Sequence, residues 1–139
     1  MNYIVKLGLS GSEQNTLDEI GAQLRARGWA DHVTVPYLIR QWDRLSACID
    51  RYTLTVDEYT NDLTSRDGLE IVVAECDEPL RSKLDLYVMH ADREFLARTR
   101  DDIEGFVGRY FRIEETDGWW WRRTPSAGPL ADFLAQSEG

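Results

Sequence analysis

The clearest pattern along the chain is helical. Leu38, Trp42, Leu45, Ile49 and Tyr52 recur at steps of four, three, four and three, the period that lines apolar side chains along one face of an α-helix. Thr34 ahead of the run can accept from free backbone N–H groups, and Pro36 is tolerated in a first turn, where no N–H is needed. Leu80, Leu84, Tyr87, Val88, Ala91, Phe95 and Thr99 repeat in the same way to about Arg100, behind Asp77-Glu78-Pro79, which suits a helix start. Leu17, Ile20 and Leu24 predict an earlier helix over 13–27, with Thr16 and Glu19 as its capping box and Gly28 as its stop. Thr55 and Glu58 form a second capping box, opening a helix with Tyr59, Leu63, Val72, Val73 and Cys76 on its apolar positions. Gly68 interrupts that helix at a cost of about 1 kcal/mol relative to Ala, and residues 69–75 have a strand alternative to the favoured helix. A last short helix is expected over 130–136.

Two segments follow the period of a strand instead. Over 3–9, Tyr3, Val5 and Leu7 alternate with Ile4, Lys6 and Gly8. Residues 109–115 and 119–124 read as the arms of a hairpin around Asp117-Gly118, because Gly supplies the positive φ such a turn needs. The second arm holds Trp119, Trp120 and Trp121. Successive strand side chains face opposite ways, so Trp119 and Trp121 are expected over the helices. Trp120, with Arg122 and Arg123 beside it, falls on the far side as covered core or as a contact. Two strands alone are marginal in water. The expected fold is therefore α+β: four to five helices packed on a small antiparallel sheet, built from the C-terminal β-hairpin plus the N-terminal strand. Residues 1–139 form one domain in this reading.

Composition narrows the function classes. An apolar share of 42% and an aromatic share of 11% do not suit a disordered chain. No stretch reaches the roughly 18–20 apolar residues of a membrane span. No basic region precedes the short apolar run at the N-terminus, so no secretory signal is expected and the cytoplasm is the expected compartment. Cys48 and Cys76 fall at apolar helix positions and are expected reduced and buried, a disulfide remaining open should their helices pack side by side. The net charge of −9 opposes nucleic-acid binding, which needs clustered Lys and Arg. Seven acids fall within 55–77 (Asp57, Glu58, Asp62, Asp67, Glu70, Glu75 and Asp77) against Arg66 alone.

Candidate chemistry is thin. His90 and Glu94 share a helical face, but two ligands are short of the three or four a metal site requires. Asp57-Glu58, Asp101-Asp102 and Glu114-Glu115 are adjacent acids of the kind that serve helix starts and surfaces. Neither cysteine stands in an activating motif, and Gly8-Leu-Ser-Gly11 lacks the Lys-Ser/Thr of a phosphate loop. No catalytic, metal or cofactor site is expected. The leading expectation is a small acidic binding protein, an immunity- or antitoxin-like inhibitor of a basic partner protein. Asp62, Asp67 and Glu70 would form the acidic contact, with Trp120 and Arg122 as a second one. The alternative is a small hydrolase or a ligand- or metal-binding domain using carboxylates and His90. A homo-oligomer sealed through the hairpin is a third possibility.

Overall fold

The computed structural model describes residues 7–51 and 55–136. The elements run α1 (Gly11–Ala26), α2 (Val35–Cys48), α3 (Val56–Glu75), α4 (Leu80–Arg98), β1 (Thr99–Asp101), β2 (Arg123–Pro125) and α5 (Pro129–Gln136). The architecture is mostly helical with a small two-stranded antiparallel sheet, α+β in the broad sense.

The starts of α1, α2 and α3 are each capped by a side-chain hydroxyl. Thr34 Oγ1 accepts from Tyr37 N–H and Thr55 Oγ1 from Glu58 N–H. At α1 the capping box belongs to Ser10 and Glu13, not to Thr16 and Glu19. Ser10 Oγ accepts from Glu13 N–H at 3.1 Å while Glu13 Oε1 accepts from Ser10 N–H at 2.9 Å. The Ser10 box caps the start of the helix six residues before Thr16, whose hydroxyl bonds back to the Ser12 carbonyl.

α3 runs unbroken through Gly68, so 69–75 are helical. It is the central helix, packed on α2 and touching α1, α4 and the tryptophan segment. Its buried positions (among them Tyr59, Asp62, Leu63, Arg66, Leu69 and Val72) cover most of its circumference, so its sequence lacks a clean amphipathic stripe. Gly68 is required by a close approach. A Cβ there would sit 2.9 Å from Leu38 Cδ1 and 3.1 Å from Trp29 Cη2. Trp42 of α2 and Phe95 of α4 meet at 4.7 Å between ring centres in the core.

The C-terminal hairpin is not formed. Residues 109–118 contain no strand, and Trp119–Arg122 is a 3-10 helix. The turn that forms is Glu114 to Asp117, held by Asp117 N–H to the Glu114 carbonyl at 3.1 Å and by Glu114 N–H to the Asp117 carboxylate at 2.7 Å. Gly118 adopts φ −64, so the Asp-Gly pair never takes the mirror-image turn a hairpin needs. β2 instead pairs with β1, Thr99 opposite Pro125 and Asp101 opposite Arg123. This short ribbon gains its support from α3, where the Tyr59 hydroxyl donates to the Arg123 carbonyl at 2.7 Å. Among the described residues the sheet contains β1 and β2 alone, and most of the expected N-terminal strand falls outside them. Its residues 3–6 lie outside the described residues, Leu7 is helical, and Gly8 is in a turn. Tyr52 also lies outside them, and α2 ends at Cys48. Cys48 and Cys76 are free thiols. Among the described residues no helix is long and apolar enough to cross a membrane.

Candidate functional site

Of the seven acids over 55–77, Asp62 is buried and Asp67 half-buried, while Asp57, Glu58, Glu70, Glu75 and Asp77 are exposed. Asp62 is 4% exposed, with Gln41 Nε2 at 3.4 Å and Arg44 Nη2 at 4.0 Å from Oδ1. Its Oδ2 has no hydrogen-bond partner among the described residues. Burial pushes its carboxyl up to about 6, against the pull of Arg44 and with the push of Glu58. Asp67 Oδ1 accepts both indole N–H groups, Trp120 Nε1 at 2.8 Å and Trp121 Nε1 at 2.9 Å. Burial raises the Asp67 carboxyl although the two indoles favour its charged form. Trp121 is buried as expected and Trp120 is covered core rather than a contact, while Trp119, expected over the helices, is the exposed ring. A 3-10 turn advances about 120° per residue, which lets two neighbouring indoles converge on one oxygen.

Of the five expected contact residues, Asp62 and Trp120 are therefore buried and Asp67 is half-buried beneath the indoles. Glu70 and Arg122 are at the surface, yet both are engaged. Glu70 receives Arg66 Nη1 at 2.9 Å. Arg122 donates to the carbonyls of Asp117 and Glu114 at 2.9 and 2.7 Å. Glu75 pairs with Arg27 at 2.9 Å, from a helix distant in sequence. The dense acid count along 55–77 is thus no bare negative patch.

Spacing of four residues accounts for the Arg66–Glu70 pair, but not for the partners on other elements. Arg66 is buried and binds Asp92 of α4 through both Nε and Nη2, each at 2.9 Å. Asp92 Oδ1 also accepts Trp42 Nε1 at 2.9 Å, and the Arg66 guanidinium lies over the Trp120 ring at 4.3 Å. The carboxylates hold its charged form despite burial. No local motif signals this cluster, because Trp42, Arg66, Asp92 and Trp120 are each separated by more than 20 residues.

The surface feature with the most contact character lies after β1. Ile103 is 87% exposed, at the tip of a turn that is closed tightly. Asp102 N–H donates to the Arg122 carbonyl at 2.9 Å, and Gly105 N–H to the Asp102 carbonyl at 3.2 Å. The Asp102 carboxylate accepts from Phe106 and Val107 N–H, both at 2.9 Å. Gly105 takes φ +71, a conformation a side chain would strain. Beside the turn is an open groove of about 530 Å³ with Ile103 and Ile113 as its apolar part and Asp101, Asp102, Glu115 and Arg122 around them.

A second depression, of about 490 Å³, lies between the α1–α2 connection and α3. Trp29, His32 and Tyr37 face Asn61, Thr64 and Ser65 across it. His90, by contrast, is exposed on α4 beside Lys83, Leu86 and Tyr87. Among the described residues no group of three or more His, Cys, Asp or Glu is placed to hold a metal ion. Compared with known protein families, characterised proteins and solved structures, the chain matches none.

Proposed function

We propose that this chain is an acidic binding protein for a basic partner protein, an inhibitor of the immunity or antitoxin kind, and that the partner docks on the Ile103 turn. The observation that supports this reading is Ile103 itself, an almost fully exposed isoleucine on a turn fixed by two backbone–backbone hydrogen bonds and two from backbone N–H groups to the Asp102 carboxylate. A backbone already held in place loses little further freedom on binding. Central apolar anchors ringed by polar groups are where interface energy concentrates. In the adjoining groove Asp101 is paired with Arg123 at 2.8 Å, which leaves Asp102 and Glu115 beside Arg122. Together with the chain's net charge of −9, this favours a positively charged counterpart and speeds encounter with it.

The test is capture from the native source with tagged wild-type protein and with Ile103→Ser and Glu115→Lys, washed at low and at high salt. One basic protein should be retained by the wild type at low salt, reduced at high salt, and lost with Ile103→Ser. Equal retention by both variants removes the turn as the contact, and no retention at either salt removes the binding reading.

A further inference from the structure

We propose that the depression between the α1–α2 connection and α3 is a binding site for a neutral saccharide. Its geometry is built by the fold. Gly28 at φ +109 turns the chain out of α1, and Trp29 N–H returns to the Leu24 carbonyl at 3.1 Å. Arg25 Nη1 pins the Val33 carbonyl at 2.6 Å from the other side. Trp29 is thereby laid across Gly68, its Cη2 edge against the glycine. His32 and Tyr37 stand edge to face at 4.9 Å between ring centres.

The hydrogen-bonding groups around these rings are uncommitted. The Trp29 indole N–H, the His32 ring nitrogens, the Tyr37 hydroxyl and the Asn61 amide have no hydrogen-bond partner among the described residues. Thr64 and Ser65 spend their hydroxyl protons on the Thr60 and Asn61 carbonyls, which leaves their oxygens as acceptors. The only formal charge on the lining, Arg27, is paired with Glu75 at 2.9 Å.

These properties select a ligand class. Aromatic faces ask for a flat or apolar ring face, and mixed donors and acceptors ask for a rim that can both give and take protons. A pyranose has both, with its C–H face and its ring of hydroxyls. Nucleotides offer a flat ring too, but they carry phosphate, and a chain of net charge −9 with no free cation in the site repels it. The volume falls in the range of small-ligand sites.

The experiment is a titration of the ¹⁵N-labelled chain with cellotriose, maltotriose and diacetylchitobiose, with adenosine monophosphate as the charged comparison, following the indole N–H resonances. With at least one saccharide the Trp29 resonance should shift saturably while those of Trp120 and Trp121 stay still. Asn61→Ala, at an exposed position, should weaken that binding about tenfold while leaving the rest of the spectrum unchanged. The proposal is overturned if no saccharide moves Trp29, if Asn61→Ala and Tyr37→Phe both bind like the wild type, or if the nucleotide alone binds. The Ile103 turn lies on other elements, so this outcome is independent of the partner capture.

Discussion

Arg66 meets Asp92 side-on across the interior, Nε and Nη2 each 2.9 Å from one carboxylate oxygen, so the positive end of α3's buried face is neutralised from α4. Removing the charge on one side leaves the other stranded, and breaking such a pair costs more than forming it gains. Asp92→Asn should destabilise the fold by about 2–4 kcal/mol in urea unfolding, the Glu70 contact holding back part of the loss. The double variant Arg66→Met with Asp92→Asn, which keeps an acceptor for the Trp42 indole, should recover part of it.

Asp67 holds two buried indole N–H groups with one oxygen. Asp67→Ala leaves both unpaired and should cost about 2–4 kcal/mol, whereas Asp67→Asn keeps an acceptor oxygen and should cost about 1 kcal/mol. Thermal melts of the two variants against the wild type check the difference.

Asp62 gives the fold a pH dependence opposite to that of a salt-bridged acid. Its carboxyl is raised to about 6, above the roughly 3.9 of an unfolded chain. Between those values the folded chain holds a proton that the unfolded chain has released. Stability therefore falls as pH climbs from about 4 to about 6, and stays lower above that. An amide has the shape without the charge. Asp62→Asn should stabilise by about 1–3 kcal/mol at pH 7 and have no measurable effect near pH 3.5. Denaturant midpoints at the two pH values decide it.

Gly128 precedes α5 at φ +96, and a Cβ there would lie 2.3 Å from the Asp50 carbonyl oxygen. The neighbour is backbone and cannot swing aside. Gly128→Ala should cost about 2–4 kcal/mol and loosen α5, seen as faster amide exchange around Leu130 and Leu134.

Ile103→Ser should leave stability within about 0.5 kcal/mol of the wild type, because the side chain touches little that is buried. Unchanged melting then makes any loss of partner capture a surface effect.

The helices were legible because each carries its own local chemistry, such as the +4, +3 spacing of Leu38, Trp42 and Leu45 and the Thr34 cap. The end of the chain was not. Three consecutive tryptophans after Asp-Gly satisfy every short-range sign of a hairpin, yet the strand partner of Arg123 is Asp101, 22 residues upstream. What overrides the local signal is a single carboxylate on α3, invisible until the fold places Asp67 beneath the indoles. The same distance hid Arg27 from Glu75 and Asp92 from Arg66, so counting charge along 55–77 overstated what α3 shows to solvent. Ile103 and the aromatic depression also left no motif. One depends on a turn closed by Arg122, the other on a glycine of α3 lying under Trp29.

The segment from Asp102 to Arg122 is fastened at both ends before its middle is reached. Asp102 ties its start to the first turn after β1, and Asp67 grips its close through Trp120 and Trp121. A protease cut near the exposed Glu115 would break one covalent bond and leave each stub independently seated. The two fragments would migrate separately in denaturing gels and together through a native column, a chain divided in sequence but not in space.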